Sequence, residues 1–159
     1  MDRETIRGFA ARTAQASGSG LIVILYELAL TRIDEARKAY DNNDMALYDR
    51  ELKAVQRYIY ELMSALDLKQ GISYDLLSLY LYTSKRIVTA IAKRDPEYLP
   101  SAETVINKLM EAFIKISETD TSGPLMRNSQ QLYAGLTYGR GSLNETFIDP
   151  SDKNRGFIA

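Results

Sequence analysis

The sequence predicts an all-α protein, namely an antiparallel, up-down four-helix bundle with a flexible N-terminus and a flexible C-terminal tail. Apolar side chains recur at three- and four-residue steps in four successive segments, which is the period of one helix face. Each segment has about 20 residues, which corresponds to a helix roughly 30 Å long. A few residues connect one segment to the next, and such short connections favour antiparallel neighbours.

The first predicted helix runs from about Leu21 to Tyr40, where the polar stretch "DNND" ends it. The second begins after Asp44, a plausible N-cap, and ends near Lys69 and Gly71. The first stripe consists of Ile22, Leu25, Tyr26, Ala29, Ile33, Ala36 and Tyr40, and the second of Tyr48, Leu52, Val55, Ile59, Leu62 and Leu66. The regular spacing of the second stripe predicts the seam of an antiparallel bundle.

The third predicted helix is capped by Ser73 and ends before Pro96, because proline disfavours a helical conformation in the residue before it. The fourth starts at Pro100, whose missing N–H costs nothing in a first turn, and places Glu103 where the helix dipole favours an acid. The third stripe consists of Leu77, Tyr80, Ser84, Ile87 and Ile91, and the fourth of Ala102, Val105, Leu109, Phe113 and Ile116. The stretch "SETDTSGP" ends the last helix.

These boundaries predict three parts of the chain. Residues 1–20 form a flexible N-terminal segment, residues 21–118 the bundle, and residues 119–159 a partly flexible C-terminal tail. Glycines at positions 135, 139 and 141 break regular structure in the tail, which has room for one short helix over Leu125 to Leu132. A chain of 159 residues is long enough for one core and too short for two comfortable ones.

The composition excludes several classes of function. With 20 basic and 21 acidic residues the net charge is -1, which gives no strong field to attract nucleic acid or an anionic membrane. The absence of Cys fits a reducing compartment. The N-terminal segment has no apolar h-region of a secretory signal, and the longest apolar run has only ten residues, which is too short to span a membrane. We therefore expect a cytoplasmic protein with no nucleic-acid partner and no membrane insertion.

An enzyme made from this sequence would have to use carboxylates, Lys, Arg or Tyr inside the bundle, because the chain has neither His nor Cys. Small all-helical mutases of the chorismate mutase type hold a dianionic substrate with inward-facing Arg and Lys. Here five cations of the middle helices fall outside the apolar stripes, namely Arg50, Lys53, Arg57, Lys85 and Arg86. We therefore predict no enzymatic activity, no cofactor and no metal, with a small mutase as the remote alternative.

The second and third predicted helices carry more apolar side chains than one core stripe needs. These surplus side chains are the predicted partner-binding residues Tyr58, Tyr60, Met63, Leu79, Leu81, Tyr82 and Val88. A cluster of this kind on adjacent helices is typical of a binding surface, and the expected ligand is an amphipathic helix laid in a groove. The alternatives are a wider core, a tail that covers this face, and a structural or adaptor bundle that homodimerises through it.

Three stretches of the sequence, taken in order, match the pattern of a known family. The first is "ASGSGLIVILYELAL", in which small residues precede an apolar turn and the pair Leu25 and Tyr26. The second is "LKAVQRYIYELMSAL", with matches at Lys53, Ala54, Gln56, Ile59, Glu61 and Leu62. The third is "LYLYTSKRI", with matches at Tyr80, Tyr82, Lys85, Arg86 and Ile87. In this order and spacing, over about residues 13 to 117, the chain resembles the flagellar secretion chaperone family FliS.

The resemblance implies a cytoplasmic helical bundle that binds the C-terminal segment of flagellin in apolar helix grooves. Such a chaperone prevents premature polymerisation of flagellin and delivers it to the flagellar export gate. The flagellin segment is disordered when free and wraps the chaperone as helices. For the chaperone itself we expect a monomer or a weak dimer.

The chain departs from the family pattern at two positions and adds a longer tail. Phe113 stands where the family often has Trp, and Gly18 stands where it often has Pro. In family members an aromatic residue near the N-terminus can cover part of the empty groove, and Phe9 is its positional match here. We hypothesise that the groove is occluded until flagellin arrives, either by Phe9 or by the tail residues Leu132, Tyr133, Leu136 and Tyr138.

Overall fold

The computed structural model of the protein describes residues 3–125, and this part of the chain is all-helical. It contains a short 3₁₀ turn, Pro96–Tyr98, and five α-helices: α1 Arg3–Gln15, α2 Gly18–Asp41, α3 Met45–Ser64, α4 Ile72–Lys93 and α5 Leu99–Thr119. The all-α prediction is therefore confirmed for the described residues. None of these helices combines the length and the apolar character that crossing a bilayer requires.

Helix α1 is a difference from the prediction, because the sequence predicts no helix before Leu21. None of the residues of α1 is buried, so the segment lacks the apolar stripe by which a helix is recognised in a sequence. The helix contacts α2, and the Arg12 guanidinium donates to the Glu27 carboxylate of that helix (Nη2 to Oε1, 2.9 Å). This hydrogen bond raises the pKa of Arg12. The next helix also starts earlier than predicted, at Gly18, with Ser17 as its N-cap.

Two of the predicted helix signals are confirmed. The Asp44 carboxylate caps α3, since its Oδ1 accepts the N–H of Leu47 at 2.9 Å. Helix α4 ends at Lys93, before Pro96, and Arg94 takes the left-handed conformation that closes it (φ 51°). A left-handed residue after the last turn is a common helix ending because it lets the final carbonyls find donors.

The connection between α3 and α4 differs from the prediction in two respects. Helix α3 ends at Ser64 rather than near Lys69, and Ser73 lies inside α4 rather than capping it. The reason is a turn at Asp67, whose carboxylate accepts the N–H of Lys69 (3.1 Å) and whose carbonyl accepts the Ser73 hydroxyl (2.7 Å). These polar contacts satisfy backbone groups of the connection locally, so α3 ends before Lys69, and the Ser73 hydroxyl bonds to the Asp67 carbonyl instead of capping α4.

The core lies among α2, α3, α4 and α5 and is close to the predicted one in α3. The second stripe is buried from its first member through Leu62, and Leu66 packs against its edge. In α2 the buried members of the predicted stripe are Tyr26, Ala29, Ile33 and Ala36. In the last stripe Ala102 is buried, but Ile116 is 49 % exposed.

The buried face of α4 is rotated relative to the prediction. Tyr80 and Ile87 are buried as expected, together with Ser73, Thr83 and Ala90. The other predicted members, Leu77, Ser84 and Ile91, are half-buried. Burial of the small residues Thr83 and Ala90 brings the α4 backbone close to its neighbours and leaves larger side chains on the outer flanks.

Polar pairs mark how the helices meet. Helix α2 contacts α3 and α5, and α4 contacts the same two helices. Ser19 in the first turn of α2 donates to Asp120, which follows α5. Hydrogen bonds from Ser122 and from Ser19 hold the pKa of Asp120 well below its ordinary value. At the other end of α2, Arg37 donates to Glu103 near the start of α5. Glu103 lies near the start of α5, as predicted, and it also forms an ion pair with Arg37 of α2.

Candidate partner-binding surface

The candidate surface is built on α4, which exposes apolar side chains on two opposite flanks. Successive residues of an α-helix turn by about 100°, so Leu81 lies about 200° around the helix from Leu79. Leu79 and Tyr82 face α5, because both line a cavity together with residues of that helix. Leu81 and Val88 lie seven positions apart and share the other flank. The structure thus divides the four predicted α4 residues into two pairs.

The α4–α5 groove is an apolar cavity of about 490 Å³ lined by Leu79 and Tyr82 from α4 and by Ser101, Thr104 and Val105 from α5. Leu79 is 39 % exposed and Tyr82 is 45 % exposed, so both present apolar surface to solvent. Beside the groove, the Nε of Arg86 donates to the Ser101 hydroxyl at 2.7 Å. An apolar groove with a few polar groups at its margin is suited to the apolar face of a helix.

The Tyr98 ring sets the spacing between the end of α4 and the start of α5. The guanidinium carbon of Arg86 lies 4.7 Å from the ring centroid, and the Nζ of Lys93 lies 4.9 Å from it. Lys93 also donates to the Tyr98 hydroxyl at 2.8 Å, and this hydrogen bond raises the pKa of its ammonium group. Because Tyr98 directly precedes α5, both cation–π contacts join the C-terminal half of α4 to the start of α5.

The opposite flank of α4, which faces away from α5, carries a row of exposed apolar side chains. Tyr74, Leu81 and Val88 repeat at seven-residue steps and are 59 %, 55 % and 46 % exposed. The chain before this row adds two more exposed apolar side chains, Leu68 and Ile72. Among the predicted α3 residues, Tyr60 is exposed in the same way. Tyr74 is not among the predicted partner-binding residues, although its seven-residue spacing from Leu81 places it on the same flank.

The other two predicted α3 residues, Tyr58 and Met63, are half-buried and pack against the core. Tyr58 lies two positions before Tyr60 and therefore on the opposite flank of α3, towards α2. Its hydroxyl interacts with the guanidinium of Arg32 in α2. The structure therefore does not bring Tyr58 together with the exposed apolar side chains of α4.

Next to Tyr58 lies a buried ion pair that the sequence pattern does not predict. Glu51 is 2 % exposed, and its carboxylate accepts from the Arg32 guanidinium. Burial opposes the charged form of Arg32, but hydrogen bonds to Glu51 and Tyr58 outweigh burial and raise its pKa. The available signal was the position of Glu51, which directly precedes Leu52 in the stripe and lies three positions after Tyr48.

A pair of tyrosine hydroxyls supports α4 from below. Tyr26 of α2 and Tyr80 of α4 are buried, and their hydroxyl groups are hydrogen-bonded to each other. Burial raises the pKa of both groups, and the mutual hydrogen bond raises that of Tyr26 further. Both hydroxyls therefore stay neutral to a higher pH than exposed tyrosines do, and no charge is placed in the interior.

Phe9, a residue hypothesised to occlude the groove, lies in α1 and is half-buried. Its ring centroid lies 5.8 Å from the guanidinium carbon of Arg12, the residue that joins α1 to α2. The other hypothesised residues, Leu132, Tyr133, Leu136 and Tyr138, lie outside the described residues, as does the predicted tail helix apart from Leu125. Within residues 3–125 no group of three acidic side chains is arranged to hold a metal ion.

An all-helical unit with an open apolar groove has the anatomy of a helical protein that binds peptide segments. A comparison with protein families makes the assignment more specific. The sequence model described as "Flagellar protein FliS" matches residues 4–120, a range that runs from the first turn of α1 to the end of α5. The chain therefore belongs to the FliS family of flagellar proteins. No curated protein matches the chain at a significant level.

Proposed function

We propose that this member of the family is a cytoplasmic export chaperone that binds the C-terminal segment of flagellin. It keeps flagellin from polymerising prematurely and delivers it to the flagellar export gate. The observation that carries the proposal is the α4–α5 groove, where Leu79 and Tyr82 expose apolar surface beside Val105. A flagellar protein with such a groove is suited to hold an amphipathic helix of another flagellar protein.

The proposal includes the antiparallel four-helix arrangement, which supplies the grooves. Three contacts support it. The first turn of α2 is bonded to Asp120 after α5, while Arg37 near the end of α2 is bonded to Glu103 near the start of α5. In the same way, the Tyr48 hydroxyl at the start of α3 donates to the Ala90 carbonyl near the end of α4 (3.2 Å). Each pair joins the start of one helix to the end of another.

The free energy needed to order a disordered guest favours contacts with both flanks of α4. Ordering a disordered segment on binding costs about 2–5 kcal/mol. Fully burying a large apolar side chain contributes about 1.5–3 kcal/mol, so a side chain about half exposed adds roughly 1 kcal/mol when a guest covers it. Leu79 and Tyr82 alone would therefore not offset the ordering cost. Adding Leu81, Val88 and Tyr74 of the opposite flank brings the gain to roughly that cost, which favours a segment that wraps α4.

The test is a calorimetric titration of the full chain with the C-terminal segment of flagellin. The double variant Leu79→Ala/Tyr82→Ala should weaken binding by about tenfold or more, because truncating central apolar contacts costs about 1–2 kcal/mol or more. The matched control is Ile114→Ala, an α5 side chain that is 37 % exposed and does not line the groove. Equal binding by the double variant and the control would contradict the proposal.

The rival from another class is an adaptor that homodimerises through the same face. Light scattering of the unliganded chain separates the two functions, because a chaperone with an open groove is a monomer or a weak dimer. A tight dimer that Leu79→Ala/Tyr82→Ala converts to monomer would favour the rival. A monomer that binds the flagellin segment with one-to-one stoichiometry would favour the chaperone.

A further inference from the structure

The outer face of α3 carries a row of three cations that the groove does not use. Arg50, Lys53 and Arg57 are exposed and follow one another at three- and four-residue steps, which places them on one side of the helix. They line a common concavity of about 610 Å³ together with Ala46 and Asp49. We define these three residues as the α3 basic row. Its length is about 10 Å, since seven positions rise by 1.5 Å each.

Among the described residues, Arg50 is the member of the α3 basic row that forms an ion pair, and Lys53 and Arg57 form none. Arg50 contacts the Glu51 carboxylate at 3.3 Å, but Glu51 is buried and engaged by Arg32, and the Arg50 side chain remains 74 % exposed. Lys85 is a further exposed cation on the neighbouring helix α4. The Tyr48–Ala90 hydrogen bond sets the register of the two helices; Lys53 lies five positions after Tyr48 and Lys85 five positions before Ala90. Both lysines therefore stand at a similar height along the helices.

Two carboxylates bound the row and limit its length. Asp49 lies one turn before Lys53 and lines the same concavity, and Glu61 lies one turn beyond Arg57. A nucleic-acid strand or another long polyanion would extend beyond the row and meet these carboxylates, which repel it. The net charge of -1 of the whole chain also gives no long-range attraction for a polyanion. A short helix with three carboxylates at three- and four-residue steps has the matching length and spacing.

We propose that the α3 basic row is a docking site for an acidic helical segment of a partner protein, whose carboxylates pair with Arg50, Lys53 and Arg57. Tyr60 lies one turn beyond Arg57 and offers an apolar side chain, 64 % exposed, against which the segment packs. The site is separate from the α4–α5 groove and takes a second partner. It therefore goes beyond the proposed binding of flagellin.

The test uses a synthetic alanine-based helix with three glutamates at three- and four-residue steps, followed one turn later by a leucine. Its control is an isomer of the same composition whose glutamates point to three different sides. The full chain should bind the first peptide about tenfold more tightly than the isomer, because three exposed charge pairs form together. Amide chemical shifts should change in α3. Raising the salt from about 0.1 M to about 1 M should abolish the difference, because it shortens the screening length to about 3 Å.

The matched variants are Lys53→Glu/Arg57→Glu in the row and Lys108→Glu/Lys115→Glu on the exposed face of α5, which change the charge equally. The first should lose about tenfold in affinity for the peptide, and the second should not. Lys53→Gln/Arg57→Gln removes the charges without adding repulsion and should lose less. The groove variant Leu79→Ala/Tyr82→Ala should bind the peptide as the parent chain does, which separates this site from the flagellin site.

Three results would overturn the proposal. The isomer could bind as tightly as the designed peptide, which would mean that spacing is not recognised. The α5 variant could lose as much affinity as the α3 variant, which would indicate general attraction to net charge. Inorganic polyphosphate could bind α3 more tightly than the peptide does, which would identify the row as a phosphate site.

Discussion

Glu51 shows how one residue can contradict an apolar pattern and still belong to the interior. Its carboxylate lies within the α2–α3 contact, where Arg32 neutralises it, and 2 % of the residue is exposed. The pattern of α3 predicts its buried aliphatic stripe because the spacing is regular. It cannot predict the ion pair, because Arg32 comes from another helix and the pairing depends on how α2 and α3 pack.

Removing one partner of this pair should destabilise the protein. Glu51→Ala leaves the Arg32 guanidinium partly buried without its carboxylate, which should lower the free energy of unfolding by about 3 kcal/mol. Urea denaturation followed by circular dichroism measures the change. The control is Arg50→Ala, an exposed cation, which should stay within about 0.5 kcal/mol of the parent. If Glu51→Ala were as stable as Arg50→Ala, the pair would be structurally neutral.

At the scale of the helices, the sequence predicts an element well where it carries a stripe and a cap. Helix α3 has both, and its start and its buried face agree with the prediction. Helix α1 has no buried residue, so it could not be recognised from apolar spacing. The helical step divides the surplus residues of α4 between two flanks, but the sequence cannot tell which flank faces α5, because that depends on how the two helices pack.

The cap of α3 provides a prediction at this scale. Asp44→Ala removes the acceptor for the Leu47 N–H and should lower the free energy of unfolding by about 1 kcal/mol. Asp41→Ala is the matched control, because Asp41 is an exposed acid at the end of α2, where a negative charge opposes the helix dipole. The control should leave stability unchanged or raise it slightly. Thermal unfolding of both variants at neutral pH decides the comparison, and equal losses would contradict a capping role.

For the molecule as a whole, buried tyrosine hydroxyls couple stability to alkaline pH. Tyr48 is buried, and its hydroxyl donates to the Ala90 carbonyl, which joins α3 to α4. Burial raises the pKa of Tyr48 to about 12 from its ordinary value near 10, and nearby carboxylates, Asp95 among them, add to the shift. Tyr26 and Tyr80 are shifted in the same direction by burial. In each case the unfolded chain loses its proton before the folded chain does.

The stability that these groups contribute is therefore fully present below about pH 10, and that of Tyr48 is lost as the pH rises through about 12. Tyr48→Phe should make the fall in stability between those pH values shallower, by about 1 kcal/mol per pH unit. Its cost at neutral pH is the lost hydrogen bond, about 1 kcal/mol. Denaturation midpoints measured across this range test the prediction, with Tyr60→Phe as the exposed control. Parallel curves for Tyr48→Phe and the parent would refute it.

The Tyr98 ring between two cations has a consequence for the speed of capture. Because Arg86 and Lys93 both contact this ring, we expect the α4–α5 groove to keep a similar width before a partner binds. A preorganised α4–α5 groove requires no rearrangement on binding, so no binding free energy is lost to it and association does not depend on prior opening of the groove. Encounters would then be limited by diffusion and by the folding of the guest, while the host remains rigid.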